Sequence, residues 1–283
     1  MSLPEVRIID SQFAHAKGGM GNGDVLIYPS YFSWYRGCDQ ISEIAVLTES
    51  SFYLVDQQPE RVKIGIIIEP RCISPQVYSN ERKIWMSSRF DVVYSHNVEF
   101  INRQVDISTR CKFLYYPLAG TWIYPDDQQI YPKSKNASII VSEKRSTEGH
   151  KLRHDIVSRF AEKYKVDVYG RGYNKIDSKL EALRDYRYSI VVENERSEGW
   201  FTEKVVDCIV CGTIPVYWGD PTIGIRFMNI PQFDSIEALE NMLSGLTDQA
   251  YTNSLSLIRS NFDRAKEYTS TEDWLWNNGL GDI

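Results

Sequence analysis

Short apolar runs rich in β-branched residues recur along the chain, separated by polar segments that contain Gly, Pro, Asp or Asn. Such runs are typical of buried strands. In the first half they predict strands at Val6–Ile9, Val25–Tyr28, Ile44–Leu47, Phe52–Val55, Ile64–Ile68, Asp91–His96 and Lys112–Tyr116. In the second half they predict strands at Ala137–Val141, Val166–Tyr169, Tyr188–Val192 and Ile214–Trp218.

Segments with helical spacing of apolar residues lie between and after the strands of the second half. They predict helices at His150–Tyr164, Ser178–Arg184, from Thr202 onward, Ile236–Leu246 and Asp248–Glu267. Strands that alternate with helices indicate a parallel, Rossmann-like sheet. The segment Thr121–Lys135 is rich in Pro, Asp and Gln, as linkers are. We therefore expect two α/β domains, residues 1–134 and 135–283.

The stretch Tyr186–Asp220 combines a strand, a polar loop, a helix and a second strand. Thr202 offers its hydroxyl as the helix N-cap, and a helix N-terminus with its free N–H groups suits a phosphate. Lys204 adds a mobile positive charge there, the Glu203 carboxylate could accept two hydrogen bonds from a ribose diol, and Trp200 could cover a ring or sugar face. The residues alone leave a second interpretation open, a capped helix whose charges are simply solvated.

The order and spacing of several residues in this stretch resemble the donor-binding signature of the α1,3-fucosyltransferases. The matching residues are Glu193-Asn194, Trp200, Thr202-Glu203-Lys204 and Gly212-Thr213-Ile214-Pro215-Val216. The chain departs from the family's pattern where Phe, Ser and Tyr are usual, at Val192, Glu195 and Trp200. The similarity is clear over residues 137–262 and faint before them.

This resemblance implies the GT-B fold, in which two Rossmann-like α/β domains with parallel sheets face a central cleft. Residues 1–134 would then bind the acceptor and residues 135–283 the GDP-sugar donor, with the terminal helices free to cross back to the first domain. The reaction it implies is an inverting transfer of L-fucose from GDP-fucose to a sugar hydroxyl of an oligosaccharide or glycan, of the α1,3/4 type.

The resemblance also assigns roles to residues of the second half. Arg153, in the first turn of its predicted helix, would grip the donor pyrophosphate, since a guanidinium fork suits two phosphate oxygens. With Lys204 it would stabilise the leaving GDP, where charge develops as the glycosidic bond breaks. Glu203 would hold the ribose, and Asn194 and Trp200 would complete the donor pocket. An Arg153 that merely lies on an exposed helix face is the other interpretation.

Glu69 is the candidate general base. It ends the apolar run Ile64–Ile68 and precedes Pro70. A carboxylate at the carboxyl end of a parallel strand lies where open α/β sheets bind ligands. In the resembling family an acidic residue at such a strand end takes the acceptor proton. A plain surface glutamate is the other interpretation, and the carboxylates that could replace it as base are Glu43, Glu49, Asp91 and Glu99.

No metal is expected to be required. The chain contains no Asp-x-Asp triplet, and Arg153 and Lys204 could neutralise the diphosphate, so an added divalent ion would at most stimulate. His150 and His154 lie four residues apart on a predicted helix, but no third ligand is near them in the sequence. The glycine-rich segment Gly18–Gly23 could cradle a phosphate or form a flexible loop.

Composition narrows the class of protein. The 283 residues are 42% hydrophobic and 25% charged, as in soluble globular proteins, and the net charge of −6 argues against nucleic acid as a partner. Five cysteines without a disulfide framework indicate a reducing compartment. No apolar run approaches the ~20 residues of a membrane span, and the N-terminus lacks the regions of a signal peptide. We therefore expect a cytoplasmic protein, free or peripheral at a membrane.

Two other functions stay open on the sequence alone. The chain could be a GT-B glycosyltransferase that uses another GDP- or UDP-sugar, or a non-catalytic protein that binds a sugar nucleotide or a glycan. The acceptor and the linkage cannot be read, because the acceptor pocket would lie in the half of the chain with the faintest resemblance.

Overall fold

The computed structural model of the chain describes residues 3–11, 27–36, 42–105, 111–118 and 120–283. The chain divides into two compact units. The first unit comprises Met1–Ala119 and Ser270–Ile283, and the second comprises Gly120–Thr269. The predicted loop Gly18–Gly23 lies outside the described residues, and the predicted strand Val25–Tyr28 lies partly outside them.

The first unit is built on a sheet of six parallel strands within the described residues. These strands are β1 (Glu5–Ile9), β2 (Ser33–Tyr35), β3 (Ile44–Thr48), β4 (Val62–Ile67), β5 (Val92–Ser95) and β6 (Lys112–Tyr115). Their order across the sheet is β2-β1-β3-β4-β5-β6. Strand β4 therefore lies inside the sheet, and its last four residues are buried, as its isoleucine run predicts.

The predicted strand Phe52–Val55 is wrong, because the segment Glu49–Gln57 forms a 3-10 helix. Phe52 and Val55 are both completely buried in the core of the first unit. Residues three apart lie on one face of a 3-10 helix, so this pair packs without a strand. A short apolar run cannot distinguish the two conformations.

The second unit contains a sheet of four parallel strands. These strands, which confirm the predicted ones, are β7 (Lys135–Ile140), β8 (Val166–Tyr169), β9 (Tyr186–Val192) and β10 (Ile214–Trp218). Their order is β10-β9-β7-β8. The register places Ile190 of β9 beside Ile139 of β7 and Val216 of β10, and all three side chains belong to one buried apolar cluster.

The described residues contain eight α-helices. They are α1 (Asn80–Ser87), α2 (Val98–Asn102), α3 (Glu148–Phe160), α4 (Glu203–Ile209), α5 (Ile236–Leu243), α6 (Asp248–Asn253), α7 (Leu255–Ala265) and α8 (Thr271–Asn277). None of the helices in this described part is both long and apolar enough to cross a membrane.

Several helical segments, among them α1, α6 and α7, differ from the sequence-based expectations. The pattern does not predict α1, because its buried face includes Lys83 and Ser87 and so forms no apolar stripe. The predicted helix Asp248–Glu267 is divided into α6 and α7 at Ser254. The segment predicted as a helix around residues 178–184 is a 3-10 helix at Lys179–Ala182.

Helix α8 follows the second unit in sequence but packs within the first. The indole Nε1 of Trp34, on β2, donates to the Glu272 carboxylate at 2.7 Å. The Tyr116 hydroxyl donates to Thr271 Oγ1 at 3.3 Å. Glu272 and Thr271 are buried. These contacts account for the place of the C-terminal segment in the first unit.

A topological switch point lies between β7 and β9. From β7 the chain passes through α3 to β8 on one side, whereas from β9 it passes through α4 to β10 on the other side. Open α/β sheets bind ligands at the carboxyl ends of strands at such points. Both α3 and α4 begin beyond these strand ends, so their N-terminal turns flank the switch point.

Candidate functional site

A cavity of about 340 Å³ opens at the switch point of the second unit. Its lining residues are Trp122, Ile140, Ser142, Lys144, His150, Arg153, Lys179, Leu183, Ser189, Ile190, Val191, Val192, Asn194, Glu203, Lys204, Asp207 and Cys208. The structure thus brings together, around one cavity, the predicted donor-site residues Arg153, Asn194, Glu203 and Lys204. Trp200 does not line it: that side chain is 2% exposed and packs below the surface.

A second cavity, of about 180 Å³, lies toward the amino-terminal ends of β9 and β10. Its walls are mainly apolar and include Tyr188, Ile214, Leu246 and Ile258. No charged side chain lines it in the described part of the chain. A charged ligand therefore fits the cavity at the switch point and not this one.

Glu193 organises the start of α4. Its carboxylate is completely buried and accepts hydrogen bonds from the Thr202 backbone N–H at 2.9 Å and from the Thr202 hydroxyl at 2.9 and 3.0 Å. The Lys204 ammonium donates to Glu193 Oε2 at 3.2 Å and to Thr202 Oγ1 at 2.9 Å. Lys204 is therefore tethered at the cavity wall, where the sequence pattern suggests only a mobile charge.

Arg153 projects from the first turns of α3 and is 6% exposed. Its Nε and Nη2 groups both donate to the Val192 carbonyl at the end of β9, with the Nε bond at 2.9 Å. Nη2 also donates to Asn194 Oδ1 at 3.2 Å. Burial lowers the pKa of the Arg153 guanidinium, which nonetheless stays charged. Within the described residues Nη1 has no hydrogen-bond partner and the guanidinium has no ion-pair partner.

A second group of charges flanks Glu203. The Lys179 ammonium donates to Glu203 Oε1 at 3.2 Å and to Asp207 Oδ2 at 2.7 Å. Burial by itself raises the pKa of the Glu203 carboxyl, but the ammonium groups of Lys204 and Lys179 outweigh it and hold that pKa below its usual range. Glu203 is therefore ionised at neutral pH and can act only as a hydrogen-bond acceptor.

Asp207 links this group to the segment that begins the second unit. Its Oδ1 accepts from the Thr121 hydroxyl at 2.7 Å and from the Trp122 backbone N–H at 2.6 Å. The Lys179 ammonium lies 4.6 Å from the centroid of the Trp122 ring, a cation–π contact. The buried carboxylate thereby holds Trp122, which is 37% exposed, at the edge of the cavity.

The two histidines of α3 face different partners. His154 contacts the Tyr173 hydroxyl through Nδ1 at 2.9 Å and the Lys144 carbonyl through Nε2 at 3.2 Å. His150 forms a capping box with Thr147 through Nδ1. The described residues contain no cluster of His, Cys, Asp and Glu that could hold a metal ion.

Gly149 explains how α3 approaches the loop after β9. Its N–H donates to the Asn194 carbonyl at 3.1 Å. A Cβ atom at this position would lie 1.7 Å from the Glu193 carbonyl oxygen. Only glycine fits this contact, which brings Arg153 to the carboxyl end of β9.

Glu69 lies in the first unit, two residues beyond the end of β4, and is half-buried. Its backbone N–H donates to Glu49 Oε1 at 2.8 Å, and its carbonyl accepts from the Tyr78 hydroxyl at 2.5 Å. Glu49 Oε2 accepts from the Ile68 N–H at 3.0 Å. The backbone that carries the Glu69 carboxylate is thus held from both sides.

Sequence reasoning misses part of this site. It assigns no role to Lys179, Asp207 or Trp122, and it weighs His150 only as a metal ligand. Lys179 and Asp207 are far apart in sequence, and no local pattern pairs them. The contact of Glu193 with Thr202 could have been predicted from the sequence. Glu193 directly follows a buried strand and precedes the N-cap Thr202 by nine residues, so its carboxylate can reach that cap.

Comparisons with known proteins identify related sequences. The model of glycosyltransferase family 10 (fucosyltransferase), C-terminal part, matches residues 130–273. An α-(1,3)-fucosyltransferase of Helicobacter pylori is 31% identical over 99 residues, which are 31% of this chain and 20% of that protein. The match thus spans about a fifth of the length of that relative.

Solved structures share the fold. A crystal structure of an α1,3-fucosyltransferase matches with a TM-score of 0.56 at 16% identity, covering 100% of this chain and 91% of the other. A crystal structure of α1,3-fucosyltransferase with GDP-fucose matches with a TM-score of 0.50 at 18% identity, covering 82% of this chain and 73% of the other. These similarities confirm the predicted fold class, the GT-B type with two Rossmann-like parallel-sheet domains.

Proposed function

This chain belongs to glycosyltransferase family 10, the fucosyltransferase family, and we propose that it transfers L-fucose from GDP-fucose to a hydroxyl group of a glycan acceptor. The relative from H. pylori is named an α-(1,3)-fucosyltransferase, and one structure of similar fold is a complex with GDP-fucose. The name of this relative and the ligand of that structure both support GDP-fucose as the donor. Inversion at the transferred sugar carbon is part of the proposal.

The observation that carries the proposal is the buried cation at the cavity. Arg153 is 6% exposed, and no carboxylate of the described residues lies at ion-pair distance from it. The carboxylates of Glu193 and Glu203 act on the guanidinium only from a longer distance, and a buried charge without a direct counter-ion is costly. A diphosphate in the cavity would supply that counter-ion beside the N-terminus of α3, where backbone N–H groups also favour an anion.

The residues predicted from the sequence for the donor site then have these roles in holding the donor or releasing GDP. As the glycosidic bond breaks, negative charge grows on the diphosphate, and the free Nη1 of Arg153 and the ammonium of Lys204 would stabilise it. Glu203, held ionised by its neighbours, would accept from the ribose hydroxyls. Asn194 would close the pocket beside Arg153. Trp200, being buried, would support the loop from below.

Glu69 is proposed as the general base that takes the proton of the acceptor hydroxyl. The two contacts that hold its backbone, from Glu49 and Tyr78, support a fixed position for the carboxylate. Glu49 binds two backbone N–H groups with its two oxygens, which makes it a poorer base. Glu99 pairs with two arginines and is also less suited.

The overall test is a transfer assay with GDP-fucose and a panel of immobilised glycans, run in EDTA. We expect fucosylated product without added metal, because Arg153 and Lys204 neutralise the diphosphate. A strict requirement for Mn²⁺ or Mg²⁺ would contradict the claim that transfer needs no metal. Transfer only from another GDP- or UDP-sugar would contradict the choice of GDP-fucose as donor. Binding of GDP-fucose with neither transfer nor hydrolysis would favour a binding protein.

The base is tested by Glu69→Gln, which keeps the shape of the side chain but cannot accept a proton. We expect kcat to fall about 10²–10⁴-fold, the usual worth of general base catalysis. GDP affinity should not change, because the donor residues belong to the second unit. The matched control is Glu99→Gln, which should keep wild-type kcat. Full activity of Glu69→Gln in the same assay would assign the base to another carboxylate.

A further inference from the structure

We propose that His150 is a donor-binding residue whose neutral imidazole donates a hydrogen bond from Nε2 to a phosphate oxygen of the nucleoside diphosphate. The inference deepens the proposed function and rests on it, since it concerns the same cavity. It concerns a residue to which the motif of the second unit assigns no role.

The hydrogen bonds of His150 determine which nitrogen carries the proton. The Thr147 backbone N–H points at Nδ1, at 3.3 Å. A backbone N–H can only donate, so Nδ1 must be the acceptor and is not protonated. The hydroxyls of Thr147 and Ser146, at 2.9 and 3.2 Å from Nδ1, can donate to the same atom. In the neutral ring the proton is therefore on Nε2.

Within the described residues the Nε2–H group has no hydrogen-bond partner. His150 is 6% exposed and lines the cavity at the switch point. In the described part of the chain every hydrogen bond of the ring goes to Nδ1. Nε2 is not among the fully enclosed polar atoms without a partner, so this donor faces the open space of the cavity. A ligand oxygen in the cavity could therefore accept its hydrogen bond in place of water.

The charges around the His150 ring determine which kind of ligand oxygen would accept the hydrogen bond from Nε2–H. Burial, reinforced by the neighbouring cations Arg153, Lys144 and Lys204, lowers the pKa of His150 to about 4. The ring is thus neutral at pH 7 and lies among positive charges. An anionic phosphate oxygen is attracted by those charges and accepts from Nε2–H, whereas an uncharged hydroxyl gains only the hydrogen bond.

The experiment distinguishes the effect of the Nε2–H donor on ligand binding from the effect of the helix cap on stability. His150→Phe removes both, Thr147→Val removes only the side-chain part of the cap, and His150→Gln restores both, since Gln is a natural capping-box residue and carries an N–H₂ donor. Calorimetry with GDP, GMP and GDP-fucose gives the affinities, and thermal unfolding reports the cap.

We expect His150→Phe to weaken GDP about tenfold, in keeping with a hydrogen bond to a charged group. Thr147→Val should lower the melting temperature but keep GDP affinity, and His150→Gln should bind GDP nearly as the wild type does. If His150→Phe loses affinity for both GDP and GMP, the Nε2–H group contacts the α-phosphate. If it loses affinity for GDP alone, that group contacts the β-phosphate. Either result supports the proposal. Loss confined to GDP-fucose would mean a sugar contact and would overturn it, as would equal losses in His150→Phe and Thr147→Val.

If His150→Phe does not fold, NMR of the wild type with ¹⁵N-labelled histidine tests the proposal instead. We expect the Nε2-protonated tautomer at His150 and a shift of that N–H signal when GDP is added. A proton on Nδ1, or no response to saturating GDP, overturns the proposal. A wild type that binds no GDP in calorimetry refutes the proposed function itself, and the inference fails with it.

Discussion

The proposed function gives the Arg153 guanidinium group a binding role in addition to its structural one. The Nε and Nη2 side of the fork donates to the Val192 carbonyl and to Asn194, which links α3 to the end of β9. Among the described residues the Nη1 side has no hydrogen-bond partner, and we propose that it binds the diphosphate. A planar fork with fixed donors can serve both directions at once, which a single ammonium group cannot.

Replacing Arg153 by lysine tests this division. Arg153→Lys keeps a positive charge but loses the fork, so we expect GDP affinity to fall about tenfold or more, the worth of a charge-assisted hydrogen bond. Calorimetry measures the affinity. Arg159→Ala, an exposed arginine on the same helix, is the control and should bind GDP as the wild type does. If Arg153→Lys bound GDP with unchanged affinity, the guanidinium fork would not contact the phosphates.

At the scale of elements, the cavity at the switch point depends on how closely α3 meets the loop between β9 and α4. The Gly149 N–H bonds to the Asn194 carbonyl, and the Glu193 carbonyl occupies the place where a Cβ would be. The neighbouring Glu193 carboxylate then orders the start of α4 through Thr202. The positions of the two helix N-termini are therefore coupled through one loop.

Gly149→Ala should force these two elements apart. Because the obstacle is backbone and cannot rotate away, we expect a loss of unfolding free energy at or above the roughly 1–3 kcal/mol of ordinary overpacking, together with weaker GDP binding. Urea denaturation measures the first and calorimetry the second. Gly224→Ala is the control, since its Cβ would meet nothing within 4 Å. Equal stability of the two variants would show that the loop adapts freely.

At the scale of the whole molecule, each unit buries a histidine that resists protonation. Burial lowers the pKa of His96 in the first unit to about 3, and that ring contacts the Tyr78 hydroxyl at 3.1 Å. Burial lowers the pKa of His150 in the second unit to about 4. Both values lie below the 6.5 of an exposed histidine, so each of these two histidines binds fewer protons in the folded protein than in the unfolded one.

Acid should therefore destabilise the protein well above the range in which carboxylates titrate. The stability contributed by His96 is fully present above pH 6.5 and is lost as the pH falls from there toward 3. The loss at pH 5 is about 2 kcal/mol for this residue. Urea denaturation at pH 7.5 and pH 5 should show it, and the difference should shrink by that amount in His96→Gln. The same pH dependence in the variant would contradict this origin.

The sequence by itself determines the elements that form the frame of the proposed donor site. The four strands of the second unit are short apolar runs that end at polar or glycine residues, and Thr202 marks the start of α4 because a hydroxyl cap is a local interaction. Gly212, with a φ of 68°, ends that helical segment as predicted. The spacing within this unit also places Arg153, Asn194 and Lys204 at strand and helix ends, where parallel sheets bind ligands.

Only the tertiary structure decides which groups those side chains meet. Lys204 is held by Glu193 and Arg153 by a strand carbonyl, and Trp200 points into the core instead of lining the cavity. Lys179 and Asp207 enter the site through contacts between segments that are distant in sequence. The physical reason is that caps and apolar periodicity act within a few residues, whereas burial and ion pairing depend on which segments packing brings together.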